Sequence, residues 1–373
     1  MSTDAEATIN TDQLEAALAN FRDHPAIAQL RSLVTDGSPE DLFHIDPGTV
    51  AERWGMDRQA VLEVFLRAVG FGILDLEWAF HCPTCGGVAK ESLQLSHTHE
   101  QEFCPVCRVD FRNTLDENVE VFFSVSESIR PLPGELRDRY MQAVVSDIQD
   151  TGRHDWRGGA TVHGVEVLNH PVFRDLFGDD TLPVDQSLEI KSATILFTDI
   201  TGSTAMYERL GDARAYRLVR DHFDVVFDAI ARNRGVPIKT IGDAVMGVFT
   251  SEAQGVTAAF EMIDALDESN ASRSDGTDLR LKIGLHRGPV IVVTLNSRLD
   301  YFGRTVNIAS RVQSISHSRE LCLTHEVFRA PGVTDALKQR VGKVSRGRVT
   351  LKGIDEPVTV YRVRAPEPQE QPV

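Results

Sequence analysis

The chain has 373 residues, 42% of them hydrophobic, and a formal net charge of −16. That length allows a large buried core and two or three domains, and no run reaches the roughly 18 apolar residues of a membrane span. Residues 1–190 carry 33 acids against 14 bases and residues 191–373 carry 22 against 25, so the front half stands at −19 and the back half at +3; an acidic front half repels phosphate backbones and argues against nucleic acid there.

The start, MSTDAEATINTDQLEAALANF, lacks the basic-then-apolar order of a signal peptide, so a cytoplasmic protein is expected. Residues 1–80 read as a helical, winged-helix-like domain. Within HIDPGTVAERWGMDRQAVLEVFLRAVGFGILDLEW, Pro47 opens a short helix, Gly55 marks a turn, and Val61, Leu62, Phe65, Leu66 and Val69 give a second helix an apolar face. Ala51, Gly55 and Val61 have helix-turn-helix spacing, and GILDLEW would follow as a wing. The segment holds six acids and three arginines, which favours a structural or protein-binding role over DNA reading.

Residues 81–130 read as a zinc ribbon and a following strand, NVEVFFSVS. Cys82, Cys85, Cys104 and Cys107 form two C-x-x-C pairs 18 residues apart. Two such knuckles supply the closed four-sulfur shell of one structural Zn2+. A redox disulfide pair, or a site in which His97 or His99 replaces a cysteine, is the competing reading; Cys322, in apolar ELCLTHE, reads as core. Residues 131–190 mix Pro, Gly and acids without clear period and read as a connecting segment. Residues 366–373 read as a disordered polar tail.

From 191 to 365 strands and helices alternate, with hairpins between the helices. The expected fold is α+β and ferredoxin-like. Asp199 ends the apolar strand of ILFTDITGST, and the backbone N–H groups of Thr201, Gly202, Ser203 and Thr204 are placed to meet phosphates. An N-cap role for Asp199 or Thr201 is the alternative. In IKTIGDAVMGVF, two short strands meet at Gly242 and Asp243, and Lys239 lies inside an otherwise apolar hairpin. Asp199 and Asp243 on neighbouring strands would form an oxygen-rich pocket for Mg2+ or Mn2+. In LDYFGRTVNIASRVQ, Asp300 precedes a bend at Gly303, and Asn307 and Arg311 lie four apart on one helix face, suited to ribose and phosphoryl oxygens. A solvated helix face is the alternative; Val306, Ile308 and Ala309 interleave with the pair.

FTDITGST, KTIGDAVMGVF and DYFGRTVNIASR, in this order and spacing, resemble the class III nucleotide cyclases over residues 191–365. The resemblance implies conversion of a nucleoside triphosphate to its 3′,5′-cyclic monophosphate and pyrophosphate. It assigns two Mg2+ or Mn2+ per site to Asp199 and Asp243 with the carbonyl of Ile200, the ribose to Asn307, and transition-state charge on the α-phosphoryl to Arg311. TLKGID nominates Lys352 for the triphosphate. Lys239 and Asp300 match the base-reading positions. A lysine donor meets adenine N1 and an aspartate acceptor meets its 6-amino group, whereas guanine presents the reverse, so ATP is the expected substrate. The metal aspartates and the remaining groups come from different subunits in this family, which implies a head-to-tail homodimer. After GLHRGPV this chain has IVVTLNSRL where most relatives carry a glycine-rich turn. The front half also resembles an uncharacterised region found ahead of some bacterial cyclases; a regulatory module with an unidentified ligand or protein partner is expected there. The rival readings are a guanylate cyclase, a catalytically silent nucleotide sensor, and a DNA-binding regulator.

Overall fold

The computed structural model describes residues 9–156, 160–273, 277–338, 340 and 343–366. Beyond Pro366 the polar tail lies outside the described residues. Two compact units emerge: Met1–Glu189 with Val292–Leu299, and Ile190–Ile291 with Asp300–Val373. No helix among the described residues is long and apolar enough to cross a membrane.

The first unit begins with α1 (Thr11–Leu18), α2 (Ile27–Asp36), α3 (Pro47–Trp54) and α4 (Arg58–Gly70). Asp46 caps α3 through the N–H groups of Gly48 and Thr49, and Gly55 closes it in the left-handed region at φ +61°. Asp57 caps α4, whose buried face is Val61, Leu62, Val64, Phe65, Leu66 and Ala68; Val69 is only part-buried. The helix pair therefore forms as its residues indicate. The following strand, β1 (Leu74–His81), is the centre of a three-stranded antiparallel sheet, between β2 (Val88–Ser92) and a later strand, so it does not hang free as a wing. A small hairpin of β3 (Gln101–Phe103) and β4 (Asp110–Arg112) carries the second cysteine pair, and β5 (Val119–Val125) completes the sheet. Residues 131–190, read as a connecting segment, hold α5 (Glu135–Thr151), α6 (Gly164–Leu168) and α7 (Pro171–Leu176). Helix α5 buries only Leu136, Val144 and Ile148 of its 17 residues, too sparse a stripe to stand out from sequence.

The second unit runs β6 (Ser187–Ile200), α8 (Ser203–Leu210), α9 (Asp212–Arg232), β7 (Val236–Ile241), β8 (Ala244–Phe249), α10 (Glu252–Ser272), β9 (Leu281–Leu295), β10 (Arg298–Phe302) and α11 (Arg304–Ser314). Then follow β11 (Glu320–Thr324), α12 (His325–Phe328), α13 (Val333–Lys338), β12 (Lys343–Val349) and β13 (Val358–Arg364). Strand order is β12-β13-β11-β9-β6-β8-β7. Within it, β6, β7, β8 and β9 stand in the order β9-β6-β8-β7, with α9 and α10 as the crossovers, which is the ferredoxin-like arrangement expected. Helix α9 buries Ala215, Leu218, Val219, His222, Val226, Ala229 and Ile230 at helical spacing, against Phe260, Ile263 and their neighbours on α10.

Two glycines place α11. A Cβ on Gly284 of β9 would come within 2.2 Å of the Gln313 backbone nitrogen, so only glycine lets the helix lie this close to the sheet. Gly303 starts the helix at φ +136°. The stretch IVVTLNSRL makes no loop: β9 runs on to Leu295 and turns at Asn296 and Ser297, both left-handed at φ +50° and +59°, into β10. This tip folds with the first unit, where Thr294 donates to the Leu182 carbonyl at 2.6 Å and Arg174 to the Leu299 carbonyl at 2.9 Å.

Candidate active site

Strand β6 carries Asp199 to its last turn of pleat, and the β7–β8 bend carries Asp243 beside it. Asp243 accepts the Ile200 N–H at Oδ2, 3.1 Å away. Burial, and next the charge of Asp243, hold the Asp199 carboxyl above the usual carboxylate range; Lys282 opposes both, its Nζ 3.2 Å from Asp199 Oδ2. Helix α8 has no side-chain cap and begins after Gly202 at φ +72°, so Asp199 is held by a cation and not by helix capping. Two carboxylates forced together, one already matched by an ammonium, are a donor set that fits hard divalent cations. Thr201 spends its N–H on the Arg280 carbonyl at 2.8 Å, so the expected phosphate donors reduce to Gly202, Ser203 and Thr204.

Lys239 and Asp300, 61 positions apart in sequence, meet at 2.6 Å between Nζ and Oδ2. Asp300 is buried, and its Oδ1 takes the Tyr301 N–H at 2.7 Å. The lysine amine also stands 5.0 Å over the Phe302 ring, which leaves it beside an apolar plate. Lys239, Phe302 and Asn307 line a cleft of about 830 Å3 whose far wall is Gly353, Ile354, Asp355 and Glu356; the exposed Lys352 directly precedes that wall. Asn307 and Arg311 are exposed, and the opposite face of α11, Ile308 and Val312, packs on Cys322, Leu351 and Val360. Of the interleaved apolar residues, Ile308 and Ala309 are buried, whereas Val306 is part-buried and lines the cleft with Asn307. Asp199 and Asp243 do not line this cleft.

In the first unit the four cysteine sulfurs lie within 4.8 Å of one another, with Cys82 to Cys107 at 3.4 Å and Cys85 to Cys104 at 3.6 Å. The two knuckles repeat one hydrogen-bond scheme: Cys82 N–H to the Gly87 carbonyl and Gly86 N–H to Cys82, Cys104 N–H to Val109 and Arg108 N–H to Cys104. Gly86 and Arg108 occupy the same left-handed position, φ +75° and +56°. Sulfurs bound at about 2.3 Å around a tetrahedral ion stand roughly 3.8 Å apart, so the cluster has the size of such a shell. His97 and His99 are not part of it. Cys322 is buried in the core, as expected, and burial pushes its thiol up to about 12.

Sequence reading missed Lys282 and His222. Lys282 is a charge inside the apolar strand LKIGLHRGPV, the same irregularity that singled out Lys239, but its partner stands 83 positions away. His222 is fully buried on α9 next to Asp243; burial lowers its pKa, against the hydrogen bond to the Val219 carbonyl and then the Asp243 charge, which both raise it.

The ferredoxin-like unit thus pairs two aspartates at a strand end, and a lysine with an aspartate at a cleft. Residues 186–365 match the adenylate and guanylate cyclase catalytic domain, and residues 8–140 match a family of unknown function, DUF5939. The chain is 33% identical over 186 residues to an adenylate cyclase of Anabaena cylindrica, covering 46% of this chain and 36% of that one. It is also 31% identical over 202 residues to the receptor-type guanylate cyclase Gyc76C of Drosophila melanogaster, covering 51% and 13%. The adenylyl cyclase CyaB from P. aeruginosa aligns in structure at 22% identity and a TM-score of 0.41, over 50% of this chain and all of that one. The chain spans about a third of the Anabaena protein's length, and relatives of both base specificities match.

Proposed function

We propose that the protein is an adenylate cyclase, converting ATP to 3′,5′-cyclic AMP and pyrophosphate at the interface of a head-to-tail homodimer. The observation that carries this reading is the Lys239–Asp300 pair at 2.6 Å beside the cleft. A donor and an acceptor so placed match adenine, and guanine would leave both mispaired at about 1–3 kcal/mol each. Exposed Asn307 and Arg311 on one helix face, apart from the Asp199–Asp243 pair, support a site completed by a second copy.

In this reading the carboxylates of Asp199 and Asp243, with the Ile200 carbonyl, would hold two Mg2+ or Mn2+. When bound, such ions acidify the 3′-hydroxyl and draw charge from the departing pyrophosphate. Lys239 and Asp300 select and orient the base. Asn307 fixes the ribose, Arg311 faces charge growing on the α-phosphoryl oxygens, and Lys352 with the N–H groups of Gly202, Ser203 and Thr204 receives the phosphate chain. No side-chain base is assigned. The front unit, with one structural Zn2+ on Cys82, Cys85, Cys104 and Cys107, serves as a cytoplasmic regulatory module. Its support is the chain path: Leu299, held by Arg174, immediately precedes Asp300.

The test is cyclic AMP and cyclic GMP formation by purified protein from ATP and GTP with Mg2+ or Mn2+. Cyclic AMP from ATP is expected, falling about a thousandfold or more in Asp243→Ala, the several kcal/mol of a lost metal-holding group. Cyclic GMP as the main product, or no product from a folded dimer, overturns it.

A further inference from the structure

The first unit contains a second cluster of metal-binding donors, unrelated to the cysteines. His44, Glu77 and Glu91 bring one ligand atom each within 4.8 Å of the others. His44 Nε2 lies 3.3 Å from Glu77 Oε2 and 3.6 Å from Glu91 Oε1, and the three side chains are 6%, 12% and 6% exposed. Neither His44 Nε2 nor Glu91 Oε1 finds a hydrogen-bond partner.

The fold builds this arrangement deliberately in physical terms. Glu91 on β2 stands opposite Ala79 of β1, and Glu77 is two residues along, so both carboxylates leave the same face of the sheet. His44 is held in the left-handed region at φ +49°, its N–H donating to Ser124 Oγ at 3.2 Å. Its ring is stacked between Phe43 at 4.0 Å and Phe122 at 4.8 Å, with Tyr140 edge-on. A side chain clamped on three sides by rings presents Nε2 to the two carboxylates in one pose. Arg137 pairs with the outer oxygen of Glu91.

Two carboxylates against one guanidinium leave an excess negative charge in a nearly dry place, which a proton on His44 or a bound cation would cancel. A protonated imidazole would aim its N–H along a hydrogen bond to one carboxylate, whereas Nε2 stands between two oxygens and meets hydrogen-bond geometry with neither. Two ligands on one ion at about 2.0–2.2 Å stand roughly 3–3.5 Å apart, the separation found on both sides of His44. The remaining spacing, between the two carboxylates, is no more than 4.8 Å, a gap that rotation of the outer glutamate torsions can close. We propose that His44, Glu77 and Glu91 bind one first-row divalent cation of the Zn2+ or Mn2+ class. The nitrogen and oxygen donor set separates it from the thiolate site, and Ser124 and Arg137 fix its ligands from behind.

The test counts Co2+ bound by the full chain, by native mass spectrometry and visible absorption, in an Asp199→Asn, Asp243→Asn background. That background removes the active-site carboxylates, so the result does not depend on the proposed catalysis. One Co2+ per chain without sulfur-to-metal charge transfer is expected, retained in Cys85→Ser and weakened at least tenfold in both His44→Ala and Glu91→Gln. Absence of a sulfur-free Co2+ in the parent, or one that survives undiminished in either variant, overturns the proposal. Should a variant fail to fold, the count in the parent decides.

Discussion

Two pairings of ionisable side chains, one at the candidate site of the second unit and one in the core of the first, differ in their access to solvent. At the candidate site of the second unit the pairs are partly open to solvent: the Lys239 and Lys282 side chains are 31% and 25% exposed over Asp300 and Asp199. In the first unit, His81 and Glu120 touch at 2.9 Å with almost no exposure, beneath the stacked Trp156 ring. Burial pushes His81 down to about 4 and Glu120 up to about 8, so it disfavours the charged form of each. The Lys239 and Lys282 pairs, left ajar, are open to a ligand from solvent, while the His81–Glu120 pair is closed within the fold.

The largest effect should come from the sealed side. Cys85→Ser opens the four-sulfur shell, and if that shell holds zinc the first unit should lose several kcal/mol, read as an early, separate transition in calorimetry. A single unchanged transition would remove the metal from the account. Acid sharpens the contrast next. His170 in the first unit and His286 in the second are buried with pKa lowered to about 4 from an ordinary 6.5. The unfolded chain binds these protons first, so the stability each confers is complete above pH 6.5 and drains as pH falls towards 4, by up to about 3 kcal/mol apiece. His170→Gln and His286→Gln should each flatten the loss measured by denaturant midpoints across that window.

On the open side the effects are smaller and fall on function. Lys239→Met should weaken productive ATP binding by about 1–3 kcal/mol, roughly five- to 150-fold in kcat/KM, with little change in Tm. An equal loss in Tm would make the pair structural. Lys282→Met should lower the Mn2+ concentration needed for half-maximal activity by a few-fold, because the competing partner of a part-exposed Asp199 is worth about 0.2–1 kcal/mol. A higher requirement would make Lys282 a helper of the site and not its competitor.

Much of this contrast was legible beforehand, and unevenly. Asp199, Asp243, Asn307 and Arg311 sit at strand ends and on a helix face whose local patterns are short and strong, and Lys239 stood out as a charge in an apolar hairpin. The cysteines announced their cluster by spacing alone. The helices of residues 135–176 did not show, because α5 buries only three of its 17 residues and α6 and α7 are too short, at five and six residues, to display a helical period. IVVTLNSRL read as an altered loop because its pattern does not say where β9 stops.

By itself the sequence determined what depends on neighbours a few positions away: the helix caps, the two cysteine knuckles, the Gly242–Asp243 bend, and the alternation that makes the back half a ferredoxin-like sheet. Only the tertiary structure decided the rest. Lys282 on Asp199, the hairpin tip held by Leu182 and Arg174, and His44 between Glu77 and Glu91 all join residues from separate elements. No local period encodes such meetings, because they are fixed by how sheets and helices stack once the apolar core has closed.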